Sequence, residues 1–245
     1  MPFVTGVGWI SAQSMGEGRK NTPFQMDSGE LPSISRPPCF EQGVFKSVYP
    51  RFSRMDEFSR LGVSAAGLAL QDAGLNGRIS KQGMGIVVTT VYGCLHTDLD
   101  YFETVTPENG AFASPALFSY TLPNCFLGEA ASRFGLTGPG YVVSQQGNSD
   151  LSSLRAVLED MDCEDLESAL AGICDLGCPP DFPVDINITP GAAFVVVEKN
   201  PDVALKPYGS LRLNQAQEVF FNGKKILSFR ELIRACVKRI PGTGS

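Results

Sequence analysis

The chain of 245 residues contains a single histidine, and neither sign of charge forms a long run. Any Ser-His-Asp or Cys-His arrangement would therefore have to use His96, and a lone histidine in a loop is more often solvated than catalytic. Acidic residues outnumber basic ones by 26 to 20. This balance disfavours nucleic acid or an anionic membrane as the main partner.

Targeting signals and regular cysteine spacing are also missing. The first residues, MPFVTGVGWIS, have no positively charged leader, and no apolar run approaches the roughly 18 residues that span a bilayer. The seven cysteines are odd in number, and Cys174 and Cys178 lack a second pair or a nearby histidine. We predict free thiols, no metal site and no cofactor, and we expect a cytoplasmic protein.

What the sequence does contain is an alternation of strand and helix patterns. Apolar runs predict strands at 3–10, 84–90, 141–143 and 192–198. Helical spacing predicts helices from the N-cap Asp56 to about Ala73, at 127–134, at 149–159 and at 228–240, and residues 166–173 fit either a helix end or a strand. The alternation predicts parallel βαβ units in a three-layer α/β/α sandwich. We expect one domain over 1–200, and an extension over 201–245 whose amphipathic helix packs on it.

The most informative segment is GPGYVVSQQGNSDLSSLRAVL, residues 138–158. A strand that turns sharply into a helix brings the turn's side chains and the helix's first N–H groups to one point, where enzymes hold a reactive Cys or Ser. This turn offers only Ser, Gln, Gly and Asn. It lacks the second glycine of G-x-S-x-G, and Ser149 is more simply explained as the N-cap of the helix.

The glycines of the first strand pattern also invite a functional interpretation. Gly6 and Gly8 begin like a dinucleotide-binding fingerprint, but Ser11 stands where the third glycine belongs. No acidic residue follows at a suitable strand end. We therefore predict a tight turn after the first strand.

Several segments in order resemble the N-terminal half of a β-ketoacyl synthase, the condensing-enzyme family with the thiolase fold. The matching segments are VTGVGWIS at 4–11, FSRLGVSAAGLALQDAGL at 58–75, MGIVVTTVYG at 84–93, SPALFSYTLPNCFLGEAASRFGLTGPG at 114–140, the turn described above, and GAAFVVVEKN at 191–200. The resemblance covers most of the chain. It implies one half of a thiolase-like fold.

The resemblance also implies a role for each position. The turn should carry a cysteine that accepts an acyl chain from acyl carrier protein, and two histidines from the family's C-terminal half should assist decarboxylation of a malonyl unit. Here the cysteine position falls on Gly147, or on Gln146 if one residue is deleted, and we expect the second half to be absent. The resemblance therefore implies that this chain alone condenses nothing.

Catalytically silent members of the family, the chain-length factors, pair with an active synthase and often have Gln in place of Cys. We predict a non-catalytic subunit that forms a heterodimer with an active β-ketoacyl synthase and influences acyl or polyene chain length. The pathway would be fatty-acid-like or polyketide biosynthesis of the aryl-polyene type. The alternatives are a malonyl-carrier-protein decarboxylase that uses the Gln146 amide, and a homodimeric scaffold.

The resemblance places the region of Pro123 and Asn124 at a dimer interface beside the acyl channel. Our candidate channel or interface residues are Phe112, Phe118, Pro123, Asn124 and Phe126; core packing is the other explanation of this aromatic segment. The basic face of the C-terminal helix suits an acidic protein such as acyl carrier protein, or simply solvent.

Overall fold

The computed structural model describes residues 1–20, 22–26, 49–75, 83–145, 149–163, 166–179, 182, 188–201 and 206–238. The strands are β1 (Phe3–Ser11), β2 (Met15–Glu17), β3 (Gly85–Thr90), β4 (Gly140–Ser144), β5 (Ser168–Asp175), β6 (Gly191–Glu198), β7 (Gly209–Leu213), β8 (Val219–Phe221) and β9 (Lys224–Lys225). The α-helices are α1 (Glu57–Asp72), α2 (Leu95–Val105), α3 (Pro115–Phe118), α4 (Cys125–Phe134), α5 (Ser152–Cys163) and α6 (Phe229–Val237).

One mixed sheet runs through the fold in the order β4-β3-β5-β6-β1-β7-β8-β9, and β2 also pairs with β1. Strands β4, β3 and β5 are parallel to one another. Strand β6 is antiparallel to both β5 and β1. The predicted parallel βαβ units are present in β3, β4 and β5, which are connected through helices. The antiparallel direction of β6 was not predicted, because the alternation of patterns does not fix the direction of a strand.

Helix α1 lies directly on β1. The Asp56 side chain caps the helix by accepting from the Ser59 amide, as predicted, and Gly74 follows its end with a φ of +71°. A Cβ atom at Gly6 would overlap the carbonyl oxygen of Ala69, and one at Gly8 would overlap the Ala69 amide nitrogen. These glycines are therefore inside a strand that a helix approaches closely, and their assignment to a turn was wrong. A tight turn does follow the first strand, as predicted, since the Ser11 amide donates to the Ser14 carbonyl oxygen (2.9 Å) between β1 and β2.

Helices cover both faces of the sheet, which gives the predicted three-layer α/β/α sandwich. Buried side chains of α1 and α4 form one core with one face of β3, β5 and β6. Buried side chains of α5 and α6 form a second core with the opposite face. The all-buried pattern of β3 and the nearly all-buried pattern of β6 follow from this double coverage.

The C-terminal strands are continuous with the sheet. Strand β7 pairs with the start of β1, and the buried carboxylate of Asp72 accepts hydrogen bonds from the Tyr208 hydroxyl (2.8 Å) and the Val7 amide (2.8 Å). The Arg19 guanidinium lies 3.2 Å from the same carboxylate. These contacts join residues 206–238 to the body of the sheet. A domain boundary at residue 200 stays a prediction.

Several element boundaries differ from the predicted ones. Of residues 166–173, predicted as a helix end or a strand, 168–173 belong to strand β5. Helix α4 begins at Cys125 instead of residue 127, and α6 ends at Val237 within the described residues instead of at residue 240. Helix α5 begins at Ser152, three residues after the predicted cap Ser149. Among the helices that the structure describes, none has the length and apolar composition needed to cross a bilayer.

Phe126 provides a test of the core beneath α4. Its ring is 0% exposed and packs edge-on against Phe58, with 5.4 Å between ring centroids. We expect Phe126→Ala to lower the free energy of unfolding by about 3–5 kcal/mol, since it deletes a buried ring and leaves a cavity. Phe112→Ala, the same change at a side chain that is 69% exposed, should alter it by less than about 0.5 kcal/mol. Denaturant unfolding of both variants measures the difference; equal losses would contradict the core assignment.

Candidate functional site

The site lies where the parallel strands β3, β4 and β5 end. Open α/β sheets bind ligands at the carboxyl ends of their strands, because the loops that follow neighbouring parallel strands meet there. Strand β4 ends at Ser144, the Gln145 amide donates to the Thr90 carbonyl oxygen (3.0 Å), and α5 begins at Ser152. Gln146 and Gly147, the two candidates for the lost nucleophile position, lie outside the described residues.

The first turn of α5 is held on the sheet by hydrogen bonds to β3 and β5. The Ser153 amide donates to Thr89 Oγ1 (2.7 Å), and the Ser153 hydroxyl donates to the Gly172 carbonyl oxygen (2.7 Å). Ser149 accepts instead from the Arg155 guanidinium (3.0 Å). Its predicted role as N-cap was therefore wrong, because the helix begins beyond it.

A cavity of about 190 Å³ opens beside the turn. Its described lining includes Gln145 and Asp150 from the turn, and Cys174 and Asp175 from β5. Arg230, from the first turn of α6, lines the opposite side. The cavity thus joins the turn to the C-terminal helix, two regions that are far apart in the sequence.

The two carboxyl groups of this cavity are already engaged by the protein. Asp150 accepts from the Phe229 amide (2.7 Å) at the start of α6. Asp175 accepts from the Thr90 hydroxyl (2.8 Å) and from the Tyr92 amide (2.9 Å). Burial raises the pKa of both carboxyl groups, while these hydrogen bonds act in the opposite direction.

The thiols of this region do not replace the missing nucleophile. Cys174 lines the cavity, but complete burial raises the pKa of its thiol well above the ordinary value. Burial, together with the neighbouring Asp98 carboxylate, raises the pKa of Cys94 to about 12, and burial also raises the pKa of Cys125. Because the thiolate is the reactive form, the raised pKa values disfavour a nucleophilic role for these thiols near neutral pH. Cys174 is buried and Cys178 half-buried, and both are free thiols, as predicted.

His96 lies on α2, and its Nε2 atom is 3.2 Å from the Gly177 carbonyl oxygen. The described lining of the cavity does not include it. The structure therefore gives the single histidine a contact with the segment after β5. Within the described residues, no group of three or more His, Cys, Asp or Glu side chains is arranged to hold a metal ion.

A second, wider cleft of about 730 Å³ lies between α5 and the β8–β9 hairpin. Its apolar part includes Val143, Val219 and Leu227, and Arg155 crosses it to donate to the Gln217 carbonyl oxygen (2.9 Å). Lys225 forms an ion pair with Glu218 at the rim. The cleft therefore contains an ion pair, and its arginine is engaged by a backbone carbonyl oxygen.

The predicted channel or interface residues divide into two groups. Phe112 and Phe118 are exposed, Asn124 is exposed and Pro123 is half-buried. Phe126 is buried in the core, with its ring edge-on to the rings of Phe58 and Phe194, which favours the core-packing explanation for this residue. The assignment of the five residues to a channel or interface stays a prediction.

Exposed apolar side chains concentrate in residues 91–124, the segment that connects β3 to α4 and that we call the excursion. Phe102, Phe112, Phe118 and Leu122 are each more than 60% exposed. We call these four side chains the 102–122 surface. Single exposed apolar residues are ordinary, whereas several large ones in a stretch of 21 residues make this segment a candidate interaction site.

Sequence reasoning missed Asp150, Asp175 and Arg230. Asp175 carries a detectable signal, since it is a polar residue at the end of an apolar strand. Asp150 precedes a helix like many other acidic residues. Arg230 carries no local signal, because its position across from Asp150 depends on the packing of α6.

Residues 12–182 match the sequence model of the family described as "Beta-ketoacyl synthase, N-terminal domain". This match spans well over half of the chain, and the chain therefore belongs to that family. Strands β1 and β6 lie outside the matched span, yet they complete the same sheet. No curated protein matches the chain.

Solved structures share the fold at low sequence identity. The ishigamide ketosynthase/chain length factor aligns with a TM-score of 0.62 and 16% identity over 86% of this chain. A beta-ketoacyl synthase from Burkholderia phymatum STM815 aligns with a TM-score of 0.59 and 16% identity over 86%. The AntDE:AntF complex of a type II PKS ketosynthase and its acyl-carrier protein aligns with a TM-score of 0.57 and 18% identity over 80% of this chain. This chain spans 62% of the length of each of these chains.

Alkylation tests whether the site holds a reactive thiol. At pH 8, a pKa of about 12 leaves only about one Cys94 thiol in ten thousand ionised, and Cys174 is also shielded by burial. We expect iodoacetamide to label the exposed Cys163 in the native protein and to leave Cys94 and Cys174 unlabelled. Peptide mass spectrometry measures the labelling, with a urea-unfolded sample as the control. Rapid native labelling of Cys174 would reveal a thiol nucleophile in the cavity.

Proposed function

We propose that this chain is a non-catalytic ketosynthase-like subunit that pairs with an active β-ketoacyl synthase in fatty-acid-like or polyketide biosynthesis. The observation that carries the proposal is the combination of an exposed apolar 102–122 surface with a family turn that contains no cysteine. The apolar surface would drive association of this chain with a partner. Because the turn lacks the thiol, the condensation would take place on the partner.

The turn supports a silent role in two ways. No Cys lies between Gly138 and Leu158, so the position that accepts the acyl chain in the family lacks its thiol. In addition, Asp150 places a carboxylate at the start of α6, where it accepts from the Phe229 amide. A thioester would meet the engaged carboxyl groups of Asp150 and Asp175 and the buried Cys174 thiol in this cavity, and none of the three stands at the family's acyl-accepting position.

The exposed edge of β4 is a second feature that supports association with another chain. Strand β4 is the last strand at its end of the described sheet, and its only described ladder is the one with β3. An unpaired strand edge offers N–H and C=O groups to another chain. The segment that carries the 102–122 surface leaves the neighbouring strand β3 at its carboxyl end, so edge and surface can contribute to one interface.

The consequence for the product would be its chain length. A subunit that contributes apolar side chains beside the partner's acyl channel would limit the space in which an acyl or polyene chain grows. Acyl carrier protein is a further proposed partner. Arg234 on α6 and Lys238 directly after it are exposed and supply positive charge for an acidic protein, whereas Arg230 faces Asp150.

Two other functions would be distinguished from the heterodimer by experiment. A homodimeric scaffold would use the same apolar surface between two copies of this chain. A malonyl-carrier-protein decarboxylase would need the Gln146 amide to act without a histidine in the described cavity lining. Incubation with malonyl-carrier protein should release no CO₂ from either the wild-type chain or Gln146→Ala.

Disruption of the surface tests the association. We expect the double variant Phe118→Asp, Leu122→Asp to bind the full-length ketosynthase encoded nearest to its gene at least about 30-fold more weakly than wild type, because it buries charge in an apolar contact. Co-expression, size-exclusion chromatography and calorimetry measure complex formation. Leu227→Asp is the matched control: that leucine is 68% exposed but lies outside the 102–122 surface.

Three results would contradict the proposal or part of it. A wild-type chain that stays monomeric beside the ketosynthase excludes the heterodimer. Self-association that the double variant abolishes, without any binding to the ketosynthase, favours the scaffold. Equal loss of binding in Leu227→Asp and the double variant would remove the 102–122 surface as the binding site.

A further inference from the structure

The excursion that carries the 102–122 surface is weakly anchored by core packing. Thr97 is the only buried residue of α2, and α3 has none. Its helices instead contact each other: the Ser114 amide donates to Thr104 Oγ1 (3.0 Å), and the rings of Tyr101 and Phe118 are 5.5 Å apart. The placement of this surface on the sheet must therefore be decided at the ends of the excursion.

At the far end, the Tyr120 hydroxyl donates to Glu129 Oε1 on α4 (3.2 Å), and the Cys125 amide donates to the Leu122 carbonyl oxygen (3.0 Å). The near end is held by a buried carboxylate of the sheet. Asp175, at the end of β5, accepts from the Thr90 hydroxyl (2.8 Å), the Val91 amide (3.0 Å) and the Tyr92 amide (2.9 Å). One buried carboxylate thus receives three hydrogen bonds from the turn at which the chain leaves β3.

Further contacts surround the hydrogen bonds between Asp175 and the turn. Thr90 Oγ1 also accepts from the Gly93 amide (2.8 Å), and Gly93 has a φ of +56°. A Cβ at Gly93 would lie 3.0 Å from the Cβ of Pro123, so the turn also touches the end of the excursion. Farther along, Thr97 donates to Asp56 Oδ2 (2.7 Å), and His96 Nε2 lies 3.2 Å from the Gly177 oxygen.

We infer that Asp175 is the positioning residue of the 102–122 surface. It fixes the direction in which the excursion leaves the sheet and so sets the presentation of Phe102, Phe112, Phe118 and Leu122 to a partner. The side chain touches no partner itself; it acts through the turn at 90–93. The part of this inference that concerns partner binding rests on the proposed function, whereas the positioning itself does not.

Asp175→Asn tests the inference, because an amide keeps the shape but replaces one acceptor oxygen with a donor that opposes the N–H groups of the turn. We expect hydrogen exchange of residues 95–122 in the free chain to be about tenfold faster than in wild type. Ketosynthase binding should weaken by about the same factor. Residues 91 and 92 bond directly to Asp175 and are therefore not used as the readout.

Asp72→Asn is the matched control. Asp72 is also a buried carboxylate that accepts from two backbone amides, those of Val7 and Arg19, and from one hydroxyl, that of Tyr208. Its contacts lie in β1, just after β2 and just before β7, and none is with the excursion. This variant should lose overall stability without faster exchange at 95–122 relative to the rest of the chain, and with ketosynthase affinity unchanged within about twofold.

Thr90→Val is the second test variant, in case Asp175→Asn does not fold. It deletes only the hydroxyl that links Asp175 to the Gly93 amide. Unchanged exchange at 95–122 in the folded variants, or equal effects in Asp72→Asn, would overturn the positioning role. If the wild-type chain binds no ketosynthase while exchange behaves as expected, the proposed function fails and the positioning role stands.

Discussion

The close contact between α1 and β1 is the constraint on which the rest of the structure depends. Backbone atoms of Ala69 lie where Cβ atoms at Gly6 and Gly8 would be, so the helix reaches the sheet only because these two strand positions lack side chains. Strand β1 is also paired with β6 and β7. Its position therefore aligns the central sheet, leaves the opposite face to α5 and α6, and attaches the C-terminal strands.

The parallel direction of β3, β4 and β5 then brings the functional features together. The excursion follows β3, the turn before α5 follows β4, and Asp175 ends β5. All three therefore lie at the carboxyl ends of these parallel strands. The family places its acyl-accepting cysteine in this turn. Here the described part of the same region contains engaged carboxyl groups, a buried thiol and a histidine turned to Gly177, while apolar side chains next to it are exposed. These exposed side chains are the part of the region that supports the proposed association with a partner.

Much of this could be predicted from local sequence. The N-cap Asp56 and the apolar spacing after it predicted α1, the β-branched runs predicted β3 and β6, and the order of segments predicted the family and the three-layer sandwich. The errors have physical causes. Gly6 and Gly8 looked like a turn because the helix that requires them lies some sixty residues away in the sequence. Ser149 looked like a cap because the helix start depends on Ser153 docking onto Thr89 and Gly172.

The sequence by itself determined which groups are available: one histidine, no cysteine in the turn, and an aromatic segment between β3 and α4. These are matters of composition and order along the chain, and folding cannot add to them. Tertiary structure decided how the groups are used. It buried Phe126 and exposed Phe112 and Phe118 from the same segment, and it brought Arg230 across from Asp150. It also set Asp175 beneath the turn at 90–93. Burial and partners are set by contacts between residues distant in sequence, so no local pattern records them.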